Sequence, residues 1–331
     1  MNLPNKYRPK CFAEVVGQTS IVSILSKQIE LKTFRNSYLF CGPSGCGKTT
    51  LARIMANTLN NNEGEPIEID AASNNGVDNI RALIVDAQQT SIESEYKIYI
   101  IDECHMLTTA AWNAALKLIE EPPSNSIFIF CTTNPDKIPE TILTRVQRFD
   151  FKRLTIKEIS DRLEFILNEE FNTSYDINAL IRIAAMSNGF MREAVSLLEK
   201  CLGYSTTINL NNVETVLGLV KFDTLFNLLD ALVKKDESLS LTIVEDLKSS
   251  STNTLFIIDS ILEFLINCTK YQKTKNIELT TFSKCYEEKL KLYTDDLMLY
   301  VERFLKFRVM SNTLQSDTIL NVAILDLCRR A

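Results

Sequence analysis

The feature that most constrains the fold is a run of nine residues between an apolar segment and a helix-forming one. It reads Gly42-Pro43-Ser44-Gly45-Cys46-Gly47-Lys48-Thr49-Thr50 and fits the phosphate-loop pattern G-x-x-x-x-G-K-[ST]. Its glycines let backbone N–H groups converge on a phosphate at the N-terminus of the following helix. Lys48 can then reach the terminal phosphates, and the Thr49 hydroxyl can ligate Mg²⁺. A chance match is disfavoured by the flanking strand and helix, so the sequence predicts a nucleoside triphosphate site.

The length and composition are those of an ordinary globular protein. The chain has 331 residues, of which 45% are hydrophobic and 24% charged, which predicts two or three globular domains. No apolar run is long enough to span a membrane, and residues 1–6 lack the core of a signal peptide. We therefore expect a cytoplasmic protein without membrane contacts.

The cysteines and the net charge argue against a disulfide-bonded or zinc-binding protein and against a broad basic surface for DNA. The nine cysteines are scattered without a C-x-x-C pair, so reduced thiols are expected rather than disulfides or zinc. The net charge is −6 and no basic stripe is present. Any contact with DNA must therefore be local, made by a few side chains and helix N-termini.

Alternating apolar segments and helical stretches predict an α/β fold with a parallel sheet in the first part of the chain. The predicted strands are residues 38–41, 67–70, 98–101, 127–131 and 148–151. All eight prolines lie at or before Pro139 and no glycine follows Gly218, so the remainder is expected to be helical. These signals predict a nucleotide-binding domain at 1–151, a small helical lid at 152–214 and an all-α domain at 215–331.

Two carboxylates, Asp102 and Glu103, follow the predicted strand 98–101. In a phosphate-loop enzyme the first holds Mg²⁺ and the second activates the attacking water. The only histidine, His105, completes the D-E-x-H box of a helicase superfamily, but the arginine-rich segment of a second motor domain is missing. His105 either couples the acidic pair to the neighbouring loop or simply packs there, and a direct catalytic role is the less favoured alternative.

Three further positions have both a functional and an ordinary interpretation. Thr133 follows a predicted buried strand, where it could lie close to the γ-phosphate or could serve as a helix cap or turn residue. Arg145 and Arg192 could stabilise the charge of phosphoryl transfer, or could be solvated surface charges.

These motifs occur in an order that resembles a known family. The series is Tyr7-Arg8-Pro9, Val15-Val16-Gly17-Gln18, the phosphate loop, Glu68–Ser73, Asp102–His105, Leu116–Pro123, Thr132–Asn134, Ile142–Arg145 and Gly189–Glu193. It closely resembles the γ/τ subunits of the bacterial DNA polymerase III clamp loader and, more distantly, the small subunits of replication factor C. The match extends to about residue 200, and beyond that it depends on length and helical character.

The resemblance implies an AAA+ ATPase that uses ATP and Mg²⁺, with a helical lid and a collar that builds a ring-like pentamer. By position, it implies that Tyr7, Arg8, Val15 and Val16 line the adenine pocket. It also implies that Thr133 and Arg192 are the two sensors of the γ-phosphate. Arg145 corresponds to the arginine finger that enters the site of the adjacent subunit.

The implied partners are other clamp-loader subunits, a sliding clamp and primer–template DNA. Asn74 and Arg81 would contact the template strand, although an ordinary surface helix is the alternative there. The sequence departs from the family in two places. Residues 57–65 stand where the family has a four-cysteine zinc module, so no zinc is expected, and Thr144-Arg145-Val146 replaces Ser-Arg-Cys. We also expect a compact form without the τ tail, which would suit a phage or an AT-rich genome.

Two other functions remain as alternatives. One is a non-catalytic scaffold like the δ′ subunit, against which the intact Lys48, Thr49, Asp102 and Glu103 argue. The other is a different AAA+ remodeller of DNA, such as a Holliday-junction motor or a helicase loader.

Overall fold

The computed structural model describes residues 2–89, 94–170, 174–250, 253–294, 296–311 and 315–330. The chain divides into two units, each formed by two segments. The first unit comprises Met1–Ile166 and Ser187–Glu199, and the second comprises Leu167–Met186 and Lys200–Ala331. The predicted three-domain division at residues 151 and 214 stays a prediction.

The first unit contains a five-stranded sheet in which every pair of neighbours is parallel. Its strands are β1 (Ser37–Cys41), β2 (Ile67–Asp70), β3 (Lys97–Asp102), β4 (Ser126–Thr132) and β5 (Gln147–Asp150). Their spatial order is β2-β3-β4-β1-β5, and Cys41 of β1 lies opposite Thr132 of β4. The predicted α/β class is confirmed, and the bounds of each predicted strand agree with those of an observed strand to within a few residues.

The helices account for most of the rest of the described chain. In chain order they are α1 (Leu3–Lys6), α2 (Thr19–Glu30), α3 (Lys48–Leu59), α4 (Val77–Ala87), α5 (Thr109–Glu120), α6 (Glu140–Leu143), α7 (Ile156–Glu170), α8 (Ile177–Met186), α9 (Met191–Tyr204), α10 (Leu210–Leu217), α11 (Phe222–Val233), α12 (Glu237–Ser250), α13 (Thr254–Thr274), α14 (Glu287–Lys291), α15 (Leu297–Met310) and α16 (Ser316–Arg330). Short 3₁₀ turns occur at Phe12–Glu14, Cys104–Met106, Pro135–Lys137, Ile277–Leu279 and Lys284–Tyr286.

Helices cover both faces of the sheet because its central strands are apolar on both sides. On β1, Tyr38 and Phe40 belong to a core with residues of α2 and α3, whereas Leu39 and Cys41 belong to a core with residues of α4 and α5. Successive side chains of a strand point to opposite faces, which explains this division. Helices that pack on both faces of the sheet therefore fix the position of the carboxyl ends of its strands.

Local sequence signals set the ends of α5. The Thr108 hydroxyl accepts a hydrogen bond from the Ala111 N–H and caps the helix at its start. The helix ends at Glu120, just before Pro122 and Pro123, which cannot continue it. This agrees with the stop that the two prolines predict.

The second unit has a helical core of its own. The buried side chains come chiefly from α11, α13, α15 and α16. In the sequence, Leu297, Tyr300, Val301, Phe304 and Leu305 have helical spacing and predict one buried stripe on α15. The first four are buried, but Leu305 is 49% exposed, so the stripe ends one residue earlier than predicted. No helix in the described part of the chain is both long and apolar enough to cross a membrane.

Candidate functional site

The loop between β1 and α3 has the backbone conformation that the glycine pattern predicts. Gly42, Gly45 and Gly47 have φ angles of +149°, +74° and +99°. At Gly42 a side chain is excluded as well, because a Cβ would lie 2.7 Å from the backbone oxygen of Phe151. Gly47 directly precedes α3 in a left-handed conformation, so the curl that exposes the helix N-terminus depends on it.

Lys48 is the first residue of α3 and is almost fully buried, with an exposed fraction of 5%. Its ammonium donates hydrogen bonds to the backbone oxygens of Gly42 at 2.8 Å and Pro43 at 3.0 Å. These two carbonyls hold the charge inside the loop. The ammonium is therefore positioned at the place where a bound phosphate group would meet the loop.

Thr49 connects α3 to the end of β3. Its hydroxyl donates to Asp102 Oδ2 at 2.8 Å. A hydroxyl and a carboxylate side by side are hard oxygen donors, the ligand type that Mg²⁺ prefers. The two side chains therefore fit the Mg²⁺ position that the sequence predicts.

Glu103 is held at the end of β3 by side chains from a neighbouring strand and turn. Its φ angle is +46°, a left-handed conformation that is uncommon for a residue with a side chain. Thr133 donates to Glu103 Oε2 at 2.8 Å, and His105 Nδ1 lies 3.2 Å from the same oxygen. The structure thus brings the three polar residues together, and the Thr133 hydroxyl donates to a carboxylate at the end of β3.

A cavity of about 380 Å³ opens beside these residues in the first unit. Asp102, Glu103 and loop residues 44–50 form one wall. The four residues predicted to hold the base, Tyr7, Arg8, Val15 and Val16, and the predicted sensor Arg192 also line it. The predicted base-binding, loop and acidic residues and Arg192 are therefore brought together at one cavity. Gly42 and Pro43 contribute through their carbonyl contacts with Lys48, and Thr133 contributes through its contact with Glu103.

Arg8 is fixed against the first turn of α3. Its Nε donates to the Thr50 hydroxyl at 3.0 Å. Burial lowers the pKa of Arg8, and the positive charge of Arg53 lowers it further. Because an arginine stays charged even so, Arg8 places a partly desolvated cation at the cavity wall.

The turn that precedes α9 packs directly against the phosphate loop. The Leu154 N–H donates to the Gly189 carbonyl at 3.1 Å. A Cβ at Gly45 would lie 3.2 Å from Phe190 Cβ. These contacts bring the start of α9, and with it Arg192, to the cavity.

The thiols near the site are structural. Cys41, Cys46, Cys104 and Cys131 are buried, and all nine cysteines are free, as the sequence predicts. Burial raises the pKa of Cys41 to about 11 and raises that of Cys131 well above its usual value. Protonated thiols are poor nucleophiles and poor metal ligands, so these residues act as small apolar side chains.

Arg145 is not part of this cavity. It follows α6, its side chain is 38% exposed, and its Nε forms an ion pair with Glu120 at 2.7 Å. One guanidinium nitrogen also donates to the Thr141 carbonyl at 2.6 Å. Arg145 thus lies on the surface of its own chain and is not among the residues that line the cavity.

The two predicted DNA contacts also lie at the surface. Asn74 donates to the Asp70 carbonyl at 3.2 Å, and Arg81 pairs with Asp78 at 3.2 Å on α4. Helix α4 begins at Val77, after Asn74 and before Arg81. The contact with DNA stays a prediction.

The sequence interpretation missed several cavity residues. Hydrophobic contacts come from Pro4, Pro9, Leu51, Leu154, Met191 and Val195, and polar ones from Asn5 and Arg162. Arg162 of α7 donates to the Tyr7 carbonyl at 3.3 Å and lies over the Phe165 ring. No motif marks a single arginine inside an amphipathic helix, so only the fold could identify it.

Thr132 was also missed as a contributor. Its side chain is fully buried, accepts a hydrogen bond from the Asn134 N–H at 3.0 Å, and lies 3.2 Å from His105 Nδ1. Among the residues that the structure describes, no group of three or more His, Cys, Asp or Glu side chains could hold a metal ion. The predicted absence of zinc stays a prediction.

Comparison with known proteins identifies the family. A family model described as DNA polymerase III, delta subunit, matches residues 67–155. The DNA polymerase III subunit gamma of Buchnera aphidicola subsp. Acyrthosiphon pisum is 31% identical over 311 residues, which cover 87% of this chain and 86% of the relative. The chain belongs to the DNA polymerase III gamma/tau family.

Longer members of the gamma/tau family are also similar. The gamma/tau subunit of Mycoplasma genitalium is 35% identical over 83% of this chain, and the tau subunit of Bacillus subtilis is 36% identical over 82%. The matches cover 50% and 52% of those two relatives, so the chain spans about half of their length.

Solved structures support the fold of this gamma/tau family member. The RuvB Holliday junction branch migration motor of Thermotoga maritima superposes with a TM-score of 0.54 and 22% identity. The match covers 69% of this chain and 79% of RuvB. At this identity the likeness shows the fold alone, and it agrees with the α/β fold with a parallel sheet that the sequence predicts.

Proposed function

We propose that the chain is the ATP-driven motor subunit of a clamp loader, which opens a ring-shaped sliding clamp and loads it onto primer–template DNA. Membership of the DNA polymerase III gamma/tau family supports the assembly, and the site supports the motor. The observation that carries the proposal is the convergence of Lys48, the Thr49–Asp102 pair and Glu103 on one cavity.

Binding of ATP follows from the contacts of the loop. The Lys48 ammonium can exchange the Gly42 and Pro43 carbonyls for phosphate oxygens without leaving its place at the start of α3. Thr49 and Asp102 would hold Mg²⁺, which when bound supplies neutralisation of the phosphate charge. Tyr7, Arg8, Val15 and Val16 line the part of the cavity proposed for adenine.

Hydrolysis assigns different tasks to the groups around Glu103. Its carboxylate is the proposed general base, which orients a water and accepts its proton. Thr133 holds one carboxylate oxygen at 2.8 Å, and Arg192 places a cation at the cavity wall. A hydroxyl that donates to the catalytic carboxylate and a cation at the cavity wall fit the sensor roles proposed for these two residues.

A neighbouring subunit would complete the site. A phosphoryl-transfer site commonly uses an arginine against the transferred phosphate, and Arg145 lies outside the cavity of its own chain. We assign Arg145 to the cavity of the adjacent subunit. The proposed assembly is a pentamer of clamp-loader subunits, whose collar is formed by residues 215–331.

Contact with DNA is proposed for the segment 74–81. Asn74 and Arg81 are both exposed, and the segment includes the N-terminus of α4. Helix N-termini and arginines bind phosphates without reading sequence. An acidic chain could therefore contact the template strand at this one place.

The deciding experiment measures ATP hydrolysis by the complex that forms with the chain's own partner subunits. Rates are compared with and without primed DNA and the sliding clamp of the same system. Stimulation that requires both supports the proposal. Indifference to the clamp together with stimulation by DNA junctions would favour another remodeller, and nucleotide binding without any turnover would favour a δ′-like scaffold.

A further inference from the structure

The only histidine of the chain lies in the most constrained part of the site. His105 belongs to the 3₁₀ turn Cys104–Met106, directly after Glu103, and its side chain is 13% exposed. Its Nδ1 atom lies 3.2 Å from Glu103 Oε2 and 3.2 Å from the Thr132 hydroxyl oxygen. The sequence left open whether this ring couples to the acidic pair or merely packs.

The chemistry of these neighbours fixes the tautomer. An ionised carboxylate can only accept hydrogen bonds, so the nitrogen that faces it must carry a proton. The Thr132 oxygen already accepts from the Asn134 N–H at 3.0 Å, and its second lone pair can accept from the ring. The ring therefore has its proton on Nδ1, shared between Glu103 and Thr132.

The donors to Glu103 are arranged asymmetrically. Within the described residues, both side-chain donors, Thr133 and His105, meet the same oxygen, Oε2. Thr132 is the last residue of β4 and Thr133 directly follows it, and both connect to this oxygen, Thr133 directly and Thr132 through the ring. The left-handed backbone at Glu103 is uncommon for a residue with a side chain, and such a conformation persists only where surrounding contacts hold it.

We propose that His105 is a positioning residue for Glu103. Its Nδ1–H and the Thr133 hydroxyl together hold Oε2, so that Oε1 is the oxygen presented to the attacking water. The Thr132 hydroxyl, 3.2 Å from Nδ1, keeps the ring in this orientation. This inference rests on the proposed ATP hydrolysis at the cavity and adds to it the device that aims the base.

Three substitutions distinguish an N–H donor at the position of His105 Nδ1 from a side chain that only packs there. His105→Asn keeps an N–H near the place of Nδ1, because both atoms are bonded to Cγ. His105→Gln moves the N–H one bond further out, and His105→Leu removes it. Met106→Leu, in the same turn but with an exposed side chain, is the matched control.

Single-turnover ATP hydrolysis is measured in the assembled complex with primed DNA and clamp, and ATP affinity is measured separately with a fluorescent analogue. We expect His105→Leu to lower the rate about 10- to 100-fold, because the charged hydrogen bond and the alignment of the base are lost. Its affinity for the analogue should stay within about twofold of wild type, since ground-state binding does not use the base. His105→Asn should keep the rate within about threefold, and His105→Gln should resemble His105→Leu.

A second background tests whether His105 acts through Glu103. In Glu103→Gln, adding His105→Leu should cause no further loss of rate, because residues that act as a unit are not additive. The inference is overturned if His105→Leu hydrolyses ATP like wild type, if Asn and Leu are equally defective, or if the loss is additive with Glu103→Gln. A wild-type complex without any ATP hydrolysis would refute the proposed function itself, and with it this inference.

Discussion

Two arginines of the first unit occupy contrasting settings. Arg192, in the first turn of α9, lines the cavity beside the phosphate loop. Arg145, after α6, is held on the surface by Glu120 and by the Thr141 carbonyl. The cavity thus has the groups proposed to bind a triphosphate, but one of the two arginines proposed for the transferred phosphate lies outside it. Binding and hydrolysis should therefore respond differently to mutations in the two regions.

The largest effect is expected at Lys48. Lys48→Ala removes the ammonium that the Gly42 and Pro43 carbonyls hold at the loop, so both nucleotide binding and hydrolysis should fall below detection. Binding is measured with a fluorescent ATP analogue, and hydrolysis by phosphate release. Lys27→Ala, an exposed position on α2, is the control. Unchanged analogue affinity in Lys48→Ala would contradict the assignment of the cavity.

Arg145→Ala should separate the two properties. The isolated chain should bind the analogue as wild type does, whereas the assembled complex should lose hydrolysis by about 10³-fold or more, the range known for arginines that act across an interface. Arg148→Ala provides a matched control, because this nearby arginine pairs with Asp150 on its own strand.

Mixing experiments make the comparison sharper. Complexes that contain both Lys48→Ala and Arg145→Ala chains should recover part of the hydrolysis, because some interfaces would combine an intact Lys48 with an intact Arg145. Neither variant alone should show activity. If the mixture stays inactive while both variants assemble, the two residues do not serve a shared site.

The sheet could be predicted because apolar strands, and the residues that end strands and helices, are encoded locally by neighbouring residues of the chain. Apolar runs such as 127–131 and the stop at Pro122 are encoded by adjacent residues, and the structure has them where expected. The extent of α15 burial depends instead on which helices pack against it. For that reason the sequence extended the stripe to Leu305, which the structure leaves half exposed.

The difference between locally encoded features and features that depend on long-range packing also applies to the site residues. Lys48, Asp102 and Glu103 lie in motifs whose spacing has a chemical meaning, so their convergence could be predicted. Arg162 and Leu154 reach the site only through the packing of distant segments, and nothing adjacent in sequence marks them. Thr132 lies in a quoted motif, but its contact with His105 is visible only in the structure. The coupling of His105 to the acidic pair was one of the alternatives that the sequence left open, and the 3.2 Å separation of its Nδ1 from Glu103 Oε2, which favours it, is visible only in the structure.

A smaller effect is expected at Thr133, which contacts Glu103. Thr133→Val keeps the shape of the side chain but removes the hydrogen bond to Glu103 Oε2, so hydrolysis in the assembled complex should fall about tenfold. Analogue binding should not change, because Lys48 and the loop are intact. Thr58→Val on the exposed side of α3 should leave both properties unaffected. Loss of binding in Thr133→Val would mean that Thr133 contacts the nucleotide directly.

The smallest effect is expected at Glu120, and it should have the opposite sign. To reach a neighbouring cavity, Arg145 must give up its ion pair with Glu120, whose two side chains are 38% and 45% exposed. Exposed pairs of this kind contribute about 0.2–1 kcal/mol, so Glu120→Ala should raise hydrolysis in the assembled complex by about two- to fivefold at most. It should lower the free energy of unfolding of the isolated chain by less than about 1 kcal/mol.

Glu121→Ala, the neighbouring exposed carboxylate, separates this effect from a general loss of negative charge. We expect it to leave hydrolysis unchanged, because Glu120 is the carboxylate paired with Arg145. A fall in hydrolysis in Glu120→Ala alone would reverse the interpretation: the pair would then orient Arg145 toward its neighbour rather than restrain it. The sign of this small change therefore distinguishes an arginine that is held back by its own chain from one that is aimed by it.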